Sequence, residues 1–356
     1  MIDQNDFFDK QVASRDVSGY FLVKNGEFAY NKSYSNGYPW GAIKRLDYYD
    51  MGVLSTLYIV FKPTNVSSQF LVSYYDTTKW YKEVAKNAAE GARNHGLLNI
   101  APSDFFSTVL EIPASLAEQD KIGDFLKKTD TLIAANQRKV DALKEQKSAY
   151  LERIFNQSLR FSGFTEPWVS LKLGENATIL TGGTPKTTEP SYWEPKEIPW
   201  MSSGEVNKKR LESTDNMISK TGLENSSARW VKQHSILIAL AGQGKTRGMV
   251  AINNIPLTTN QSIAAIEPNE SLDYEFAFQN LGNRYDELRM NSSGDGTRGG
   301  LNKKIISDIL ISAPDINEQK QIGKLFASLD NLIASNQRKV DLLTTQKSAY
   351  LQQMFL

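Results

Sequence analysis

At 356 residues, with 40% hydrophobic and 23% charged side chains, the chain has the composition of a globular protein and can bury two or more ordinary cores. It contains no cysteine and only two histidines, His95 and His234, which excludes a disulfide framework or a cysteine/histidine zinc site and leaves any metal chemistry to carboxylates. Lys and Arg number 41 against 40 Asp and Glu, a net charge of +1, so bulk electrostatics announce no nucleic-acid partner and any case for DNA must come from local arrangement.

Residues 1–30 lack the basic, apolar and small-residue order of a signal peptide, and no stretch approaches the ~18 consecutive apolar residues needed to span a bilayer. A cytoplasmic protein with no membrane partner is expected. Residues 1–117 read as a first globular domain. At an offset of 205, Tyr58–Pro63 falls on Ile263–Pro268 and Gly91–Arg93 falls on Gly296–Arg298. Met1 then matches position 206, and nothing in the first half corresponds to residues 161–205, so this domain is expected to be a shortened copy of a later one.

Residues 118–157 hold a long helix, and 317–356 hold its repeat: at an offset of 200, 22 of 38 positions in 118–155 and 318–355 are identical. Neither copy contains proline, each has one glycine near its start (Gly123, Gly323), and both are rich in good helix formers. In the first, Ile122, Leu126, Thr129, Ile133, Asn136, Val140, Leu143, Lys147, Tyr150 and Ile154 alternate spacings of four and three. Ile322, Phe326, Leu329, Ile333, Asn336, Val340, Leu343, Lys347, Tyr350 and Met354 repeat them. That period is a coiled-coil seam, and ~35 helical residues make a rod of about 50 Å. Asn136 and Asn336 on the seam disfavour misregistered pairings. Ser115 to Glu118 and Asp315 to Glu318, preceded by Pro113 and Pro314, resemble capping boxes. Identity in Asn136 to Lys139 and Gln146 to Ser148, repeated from Asn336 and Gln346, extends beyond what a buried seam explains and suits two copies of one partner. The competing reading is of two core helices in two similar domains.

Residues 158–316, punctuated by Gly, Thr and Pro and carrying short apolar runs such as Ile236 to Ala239 and Ile263 to Ile266, suit a second mixed domain of short strands and a few helices.

The paired Pro, Glu-Gln and Ile-Gly helix entries, the Gly163, Phe164, Trp168, Leu173, Gly174 opening, and the Thr181 to Pro185 loop followed by Ile198, Pro199 and Trp200 resemble, in that order, the specificity subunits of type I restriction-modification systems. The resemblance spans nearly the whole chain. It implies an α+β architecture: two globular mixed α/β target-recognition domains separated by two long helices that pair as an antiparallel coiled coil. It further implies a non-catalytic subunit whose domains each read one half of a split double-stranded DNA sequence. The helices of that family dock two methyltransferase subunits, and restriction subunits complete the complex. S-adenosylmethionine, ATP and magnesium are expected on those partners and no cofactor on this chain. The shortened N-terminal domain departs from the family pattern.

Base edges in the major groove are read by Arg, Lys, Asn and Gln, and phosphates accept bonds from Lys, Arg, Ser and Thr. Candidate DNA contacts are Thr184, Lys186, Ser202, Ser203, Gln243, Lys245, Arg247, Thr297 and Arg298, with the tract Lys208 to Arg210. In the first domain they are Lys44, Arg45 and Arg93. Solvated loops are the competing reading for each. Trp193, Trp200, Tyr192 and Trp230 could stack on bases, although large aromatics more often fill cores.

Enzyme patterns fail. Ala241 to Thr246 imitates the end of a phosphate-binding loop, but the first required glycine is Ala239, within an apolar strand. Gly294 to Gly299 matches a bare dinucleotide pattern with no strand before it. Asp315 and Glu318 suit a helix entry better than a metal. No Asn-Pro-Pro-aromatic run of amino-methylating enzymes occurs. The alternatives to a DNA-specificity subunit are a scaffold without DNA contact and an independent nucleotide-hydrolysing enzyme.

Overall fold

The computed structural model describes residue 1 and residues 16–88, 98–242, 245–290 and 300–355. The chain divides into two compact units, residues 1–139 with 336–356 and residues 140–335. Both long helices, Leu116–Phe155 and Ile316–Met354, contribute to both units. Every seam position from Ile122 to Ile154 and from Ile322 to Met354 is buried or half-buried, while most positions between them are exposed. In each unit the two helices run antiparallel. Lys347 pairs with Asp130 at 2.6 Å in the first, and Lys147 pairs with Asp330 at 2.6 Å in the second. These are one ion pair written twice by the repeat. Asn136 is buried and donates from Nδ2 to its own helix, at the Leu132 carbonyl, 2.7 Å away.

In the first unit Phe28–Asn31 is the central strand of an antiparallel sheet, flanked by Ala42–Arg45 and Tyr58–Phe61, with Tyr30 opposite both Ile43 and Ile59. Phe28, Tyr30, Ile43 and Ile59 pack with Phe70 and Tyr74 of the helix Ser68–Tyr75, and with Trp80, Phe105, Leu126 and Phe355. Aromatic geometry holds this small core together: Tyr30 stacks on Phe105 at 4.9 Å and meets Trp80 edge-on at 5.9 Å. Gly41 sits at φ +76°, and a Cβ there would lie 2.1 Å from the Asn31 carbonyl oxygen, so the turn into the strand Ala42–Arg45 requires glycine.

The second unit carries a five-stranded sheet in the order Ala177–Thr181, Ile263–Pro268, Ile236–Ala239, Val250–Asn253, Arg210–Leu211. A four-stranded sheet accompanies it, in the order Asn216–Ile218, Ile198–Met201, Leu257–Thr259, Trp230–Val231. The unbroken apolar run Ile236 to Ala239 reflects burial of both faces of the strand. Ile236 and Ile238 face Phe276, Leu281 and Phe326, while Leu237 and Ala239 face Met201, Leu211 and Leu257.

One joint occurs in both units. Gln119 accepts the Ser67 N–H (2.8 Å) and donates to the Pro113 carbonyl (2.7 Å). Gln319 does the same with Asp273 N–H (2.9 Å) and the Pro314 carbonyl (2.9 Å). Ser67 and Asp273 cap the helices Ser68–Tyr75 and Tyr274–Asn283. One turn further along, Gly123 and Gly323 let those helix starts approach the long helix. A Cβ on Gly123 would lie 2.7 Å from Phe70 N.

The capping-box reading of the helix entries holds only in part. Ser115 Oγ accepts from Glu118 N at 3.4 Å and Asp315 Oδ1 accepts from Asn317 N at 2.8 Å. Glu318, however, turns away from the cap to bind Arg160, and Glu118 is exposed. Among the described residues no helix is long and apolar enough to cross a membrane.

Candidate nucleic-acid interface

Strand pairing in the second unit gathers several loops at one end. Thr181 lies opposite Ala264 and Ala239 opposite Ile263, so the loops leaving Thr181 and Ala239 and the loop entering Ile263 share one sheet end. Met201 lies beside Thr259 and Trp230 opposite Thr258, which brings Ser202, Ser203 and Arg229 to the same end. Thr184, Lys186, Ser202, Ser203, Lys245 and Arg247, scattered over 64 positions of sequence, therefore emerge together. Gln243, Thr297, Arg298 and Arg93, together with the Gly294 to Gly299 pattern, lie outside the described residues.

The loop Thr181 to Lys186 is held closely. Gly183 N donates to the Thr259 carbonyl (2.9 Å) and Trp200 Nε1 to the Gly183 carbonyl (3.0 Å). A Cβ on Gly182 would lie 1.9 Å from Thr259 O, and one on Gly183 2.0 Å from Ser227 Oγ. Both glycines are demanded by this close approach. Thr184 Oγ1 donates to Gln261 Oε1 at 2.6 Å, which fixes that amide beside the loop. Lys186 and Lys245 are exposed, and their carbonyls accept from Trp193 Nε1 (3.2 Å) and the Tyr285 hydroxyl (2.7 Å). Both ammonium groups are left facing solvent.

Other candidates are engaged inside the protein. Ser202 N and Oγ both bond Glu205 Oε1, at 3.0 and 3.4 Å, so Ser202 works as the cap of the short 3-10 helix Ser203–Lys208. Lys208 pairs with Asp215 (2.7 Å) and Glu205 (2.9 Å), and these hold its ammonium above the ordinary lysine value, Asp215 first. Arg210 is not a loop cation. It lies in a strand, forks onto Glu275, and reaches Asp330 Oδ2 at 2.9 Å. Burial opposes its charge, yet the two carboxylates raise its pKa further above the already high guanidinium value. Trp200 is buried and packs edge-on against Trp193 at 5.3 Å, so these two rings brace the loop. Trp230 is 48% exposed, and Arg229 beside it is exposed with no ion pair among the described residues. Arg229 and Gln261 were not singled out from sequence, because each becomes notable only once strand pairing brings it to this end.

In the first unit, Lys44 pairs with Asp76 at 2.5 Å. Arg45, its side chain 13% exposed, bonds Asp47 (2.6 Å), Ser68 Oγ (2.9 Å) and Gln69 Oε1 (2.8 Å). Arg45 thus ties a strand to the start of the helix Ser68–Tyr75. Its replacement by Ala is expected to cost about 1–2 kcal/mol of stability, read by denaturant unfolding.

Residues 165–345 match the family described as Type I restriction modification DNA specificity domain. The chain is 26% identical over 265 residues to the type I restriction enzyme EcoR124I/EcoR124II specificity subunit of Escherichia coli, covering 72% of this chain and 63% of that one. It is 26% identical over 182 residues to the MjaIX specificity subunit of Methanocaldococcus jannaschii, covering 49% of this chain and 41% of that one. The chain thus spans less than two thirds of the length of these relatives. In fold it is similar to the type I restriction-modification S subunit from M. genitalium, with a TM-score of 0.66 at 15% identity, covering 94% of this chain and 84% of that one. With more than half of its residues inside the family match, the chain belongs to the specificity subunits of type I restriction-modification systems.

Proposed function

We propose that the chain is the non-catalytic DNA-reading subunit of a cytoplasmic type I restriction-modification complex, docking two methyltransferase subunits on its long helices. The observation that carries this reading is which repeated residues face solvent. Arg138, Lys139, Gln146, Ser148 and Ala149 recur as Arg338, Lys339, Gln346, Ser348 and Ala349, and all ten are exposed. Packing within this chain does not demand that identity; binding the same partner twice does. S-adenosylmethionine, ATP and magnesium would then be brought by the partner subunits and not by this chain.

The gathered loops of the second unit support DNA reading. Lys186, Arg229 and Lys245 suit phosphates, and Thr184 with Gln261 offers donors and acceptors to base edges. The double variant Lys186→Ala, Lys245→Ala is expected to weaken binding alike across sequences and to flatten the slope of log affinity against log salt by about 2, one per phosphate contact. An unchanged slope would remove both residues from the interface.

Mapping of modified adenines after co-expression with the neighbouring methyltransferase in a methylation-free host tests the whole reading. A split motif with two defined halves is expected if both units read. The internal commitments of Lys44 and Arg45 favour a second reading, in which the first unit attaches but does not read, and a single defined half would then appear. Native mass spectrometry is expected to find two methyltransferase subunits per chain, and one or none would overturn the docking assignment.

A further inference from the structure

The family match at residues 165–345 lies almost wholly on the second unit, yet the first unit repeats the central strands found there. Tyr30 lies opposite Ile43 on one side and Ile59 on the other, and Ile238 lies likewise opposite Val250 and Ala264. The amide of Leu98 donates to the Lys32 carbonyl at 2.7 Å, as that of Leu301 donates to the Leu240 carbonyl at 3.0 Å. Residues 32–41 therefore join the same two strands, at the same sheet end, that residues 240–249 join in the second unit. There the connection carries Lys245 and Arg247. In the first unit its one charged residue is Lys32.

This connection is a small hairpin. Tyr38 N donates to the Ser35 carbonyl at 2.9 Å and Ser35 N to the Tyr38 carbonyl at 3.3 Å, around a turn at Asn36 and Gly37 with Gly37 at φ +83°. Its base is braced. The hydroxyl of the fully buried Tyr30 donates to the Trp40 carbonyl at 2.8 Å, Gly41 N to the Tyr38 carbonyl at 3.1 Å, and Ser33 N to Asn31 Oδ1 at 3.0 Å. Its tip is open to solvent: Tyr34 is 62% and Tyr38 45% exposed, and the exposed Asn36 amide makes no hydrogen bond among the described residues.

We propose that this hairpin is the base-reading element of the first unit, with Asn36 bonding the edge of an adenine in the major groove and Tyr34 and Tyr38 packing on neighbouring thymine methyl groups. The inference rests on the DNA-reading function proposed above, and it assigns that work to residues other than Lys44 and Arg45. A major groove about 12 Å wide admits a two-stranded ribbon, and an asparagine amide can accept from adenine N6 while donating to N7. An uncharged tip with a free amide discriminates bases but neutralises no phosphate. Bracing of the base matters, because a loop ordered only on binding would lose affinity to that ordering.

The test is to co-express the full chain and its variants with the neighbouring methyltransferase in a methylation-free host, map modified adenines, and titrate the purified complexes with DNA at several salt concentrations. Asn36→Ala is expected to lose about tenfold in discrimination at one adenine position, in one half of the motif, and to leave the other half intact. Its slope of log affinity against log salt should stay as it was, in contrast to the Lys186→Ala, Lys245→Ala pair. Asn36→Asp keeps a residue that suits a turn before glycine, and is expected to shift the same position toward cytosine, whose amino group a carboxylate accepts. An unaltered motif in both variants would overturn the assignment. So would a uniform loss of affinity with the motif kept, which would make the hairpin structural. A single defined half with the unsubstituted chain would overturn it while sparing reading by the second unit, whereas no modified motif at all would remove the DNA-reading function and the hairpin's role with it.

Discussion

Asp330→Ala is expected to destabilise the second unit by about 3 kcal/mol, the loss typical of a buried ion cluster deprived of one partner. Asp330 takes Lys147 at 2.6 Å, Arg210 at 2.9 Å and the Gln279 amide at 2.9 Å. Arg210 and Lys147 are only 22% and 20% exposed, so neither cation recovers full hydration when the carboxylate goes. The repeat supplies its own control: Asp130, at the same place in the first long helix, is 52% exposed and, among the described residues, pairs only with Lys347. Asp130→Ala should therefore cost no more than about 1 kcal/mol, as for other exposed pairs. Equal losses in denaturant unfolding would show that the network adds nothing beyond one ion pair. Burial on its own would raise the Asp330 pKa, but Lys147, Arg210 and Gln279 outweigh it and hold the carboxyl below its ordinary value. With the folded value depressed, its contribution is complete above the unfolded value near 4 and is lost as pH falls through the lower folded one. Asp330→Ala should accordingly flatten the acid limb of the stability profile.

Gly123→Ala should destabilise the first unit by about 2–3 kcal/mol, the reverse of the roughly 1 kcal/mol gain that Ala over Gly brings inside an exposed helix. Its Cβ would meet Phe70 N at 2.7 Å and the Gln69 carbonyl carbon at 2.8 Å, and backbone at a capped helix start cannot swing aside as a side chain can. Gly323→Ala meets Asp273 Oδ1 at 2.8 Å and Glu275 Cβ at 3.0 Å, with backbone no nearer than Phe276 N at 3.2 Å. The milder loss is expected there. Chemical unfolding of the two variants reads the difference, and a stabilised Gly123→Ala would refute the close joint.

The coiled-coil seam was legible because it is a local pattern: a period of 3.5 residues needs only near neighbours to be recognised, and every seam position read from it is shielded from solvent. That Lys147 and Lys347 lie on the seam was also visible, but their partners were not, since antiparallel register joins residues 183 positions apart in Lys147 and Asp330. The same blindness explains Arg210. A Lys-Lys-Arg tract reads as a solvated loop until the fold brings Glu275 and Asp330 to it from 65 and 120 residues away. Arg45 was misjudged likewise, its partners Ser68 and Gln69 being placed by a strand-to-helix contact. Gln261 was overlooked because its polar neighbour Thr184 lies 77 residues earlier. Burial of Trp200 and exposure of Trp230, both open from composition, were settled by their positions in the four-stranded sheet.

The joint formed by Gln119 and Gln319 is made almost wholly to main chain. The Gln119 amide binds one backbone N–H and one backbone C=O, the Gln319 amide binds one backbone N–H and two backbone C=O groups, and the neighbouring glycine is pressed by backbone or by the first residues of a helix. Such an attachment is indifferent to most of the side chains it holds. A globular head of entirely different surface can be grafted onto the same helix, provided it presents a capped helix start in that place. Loops at the far end of the sheets are then free to diversify without disturbing the seat, so that new binding preferences can arise by exchanging whole heads between related chains as interchangeable parts.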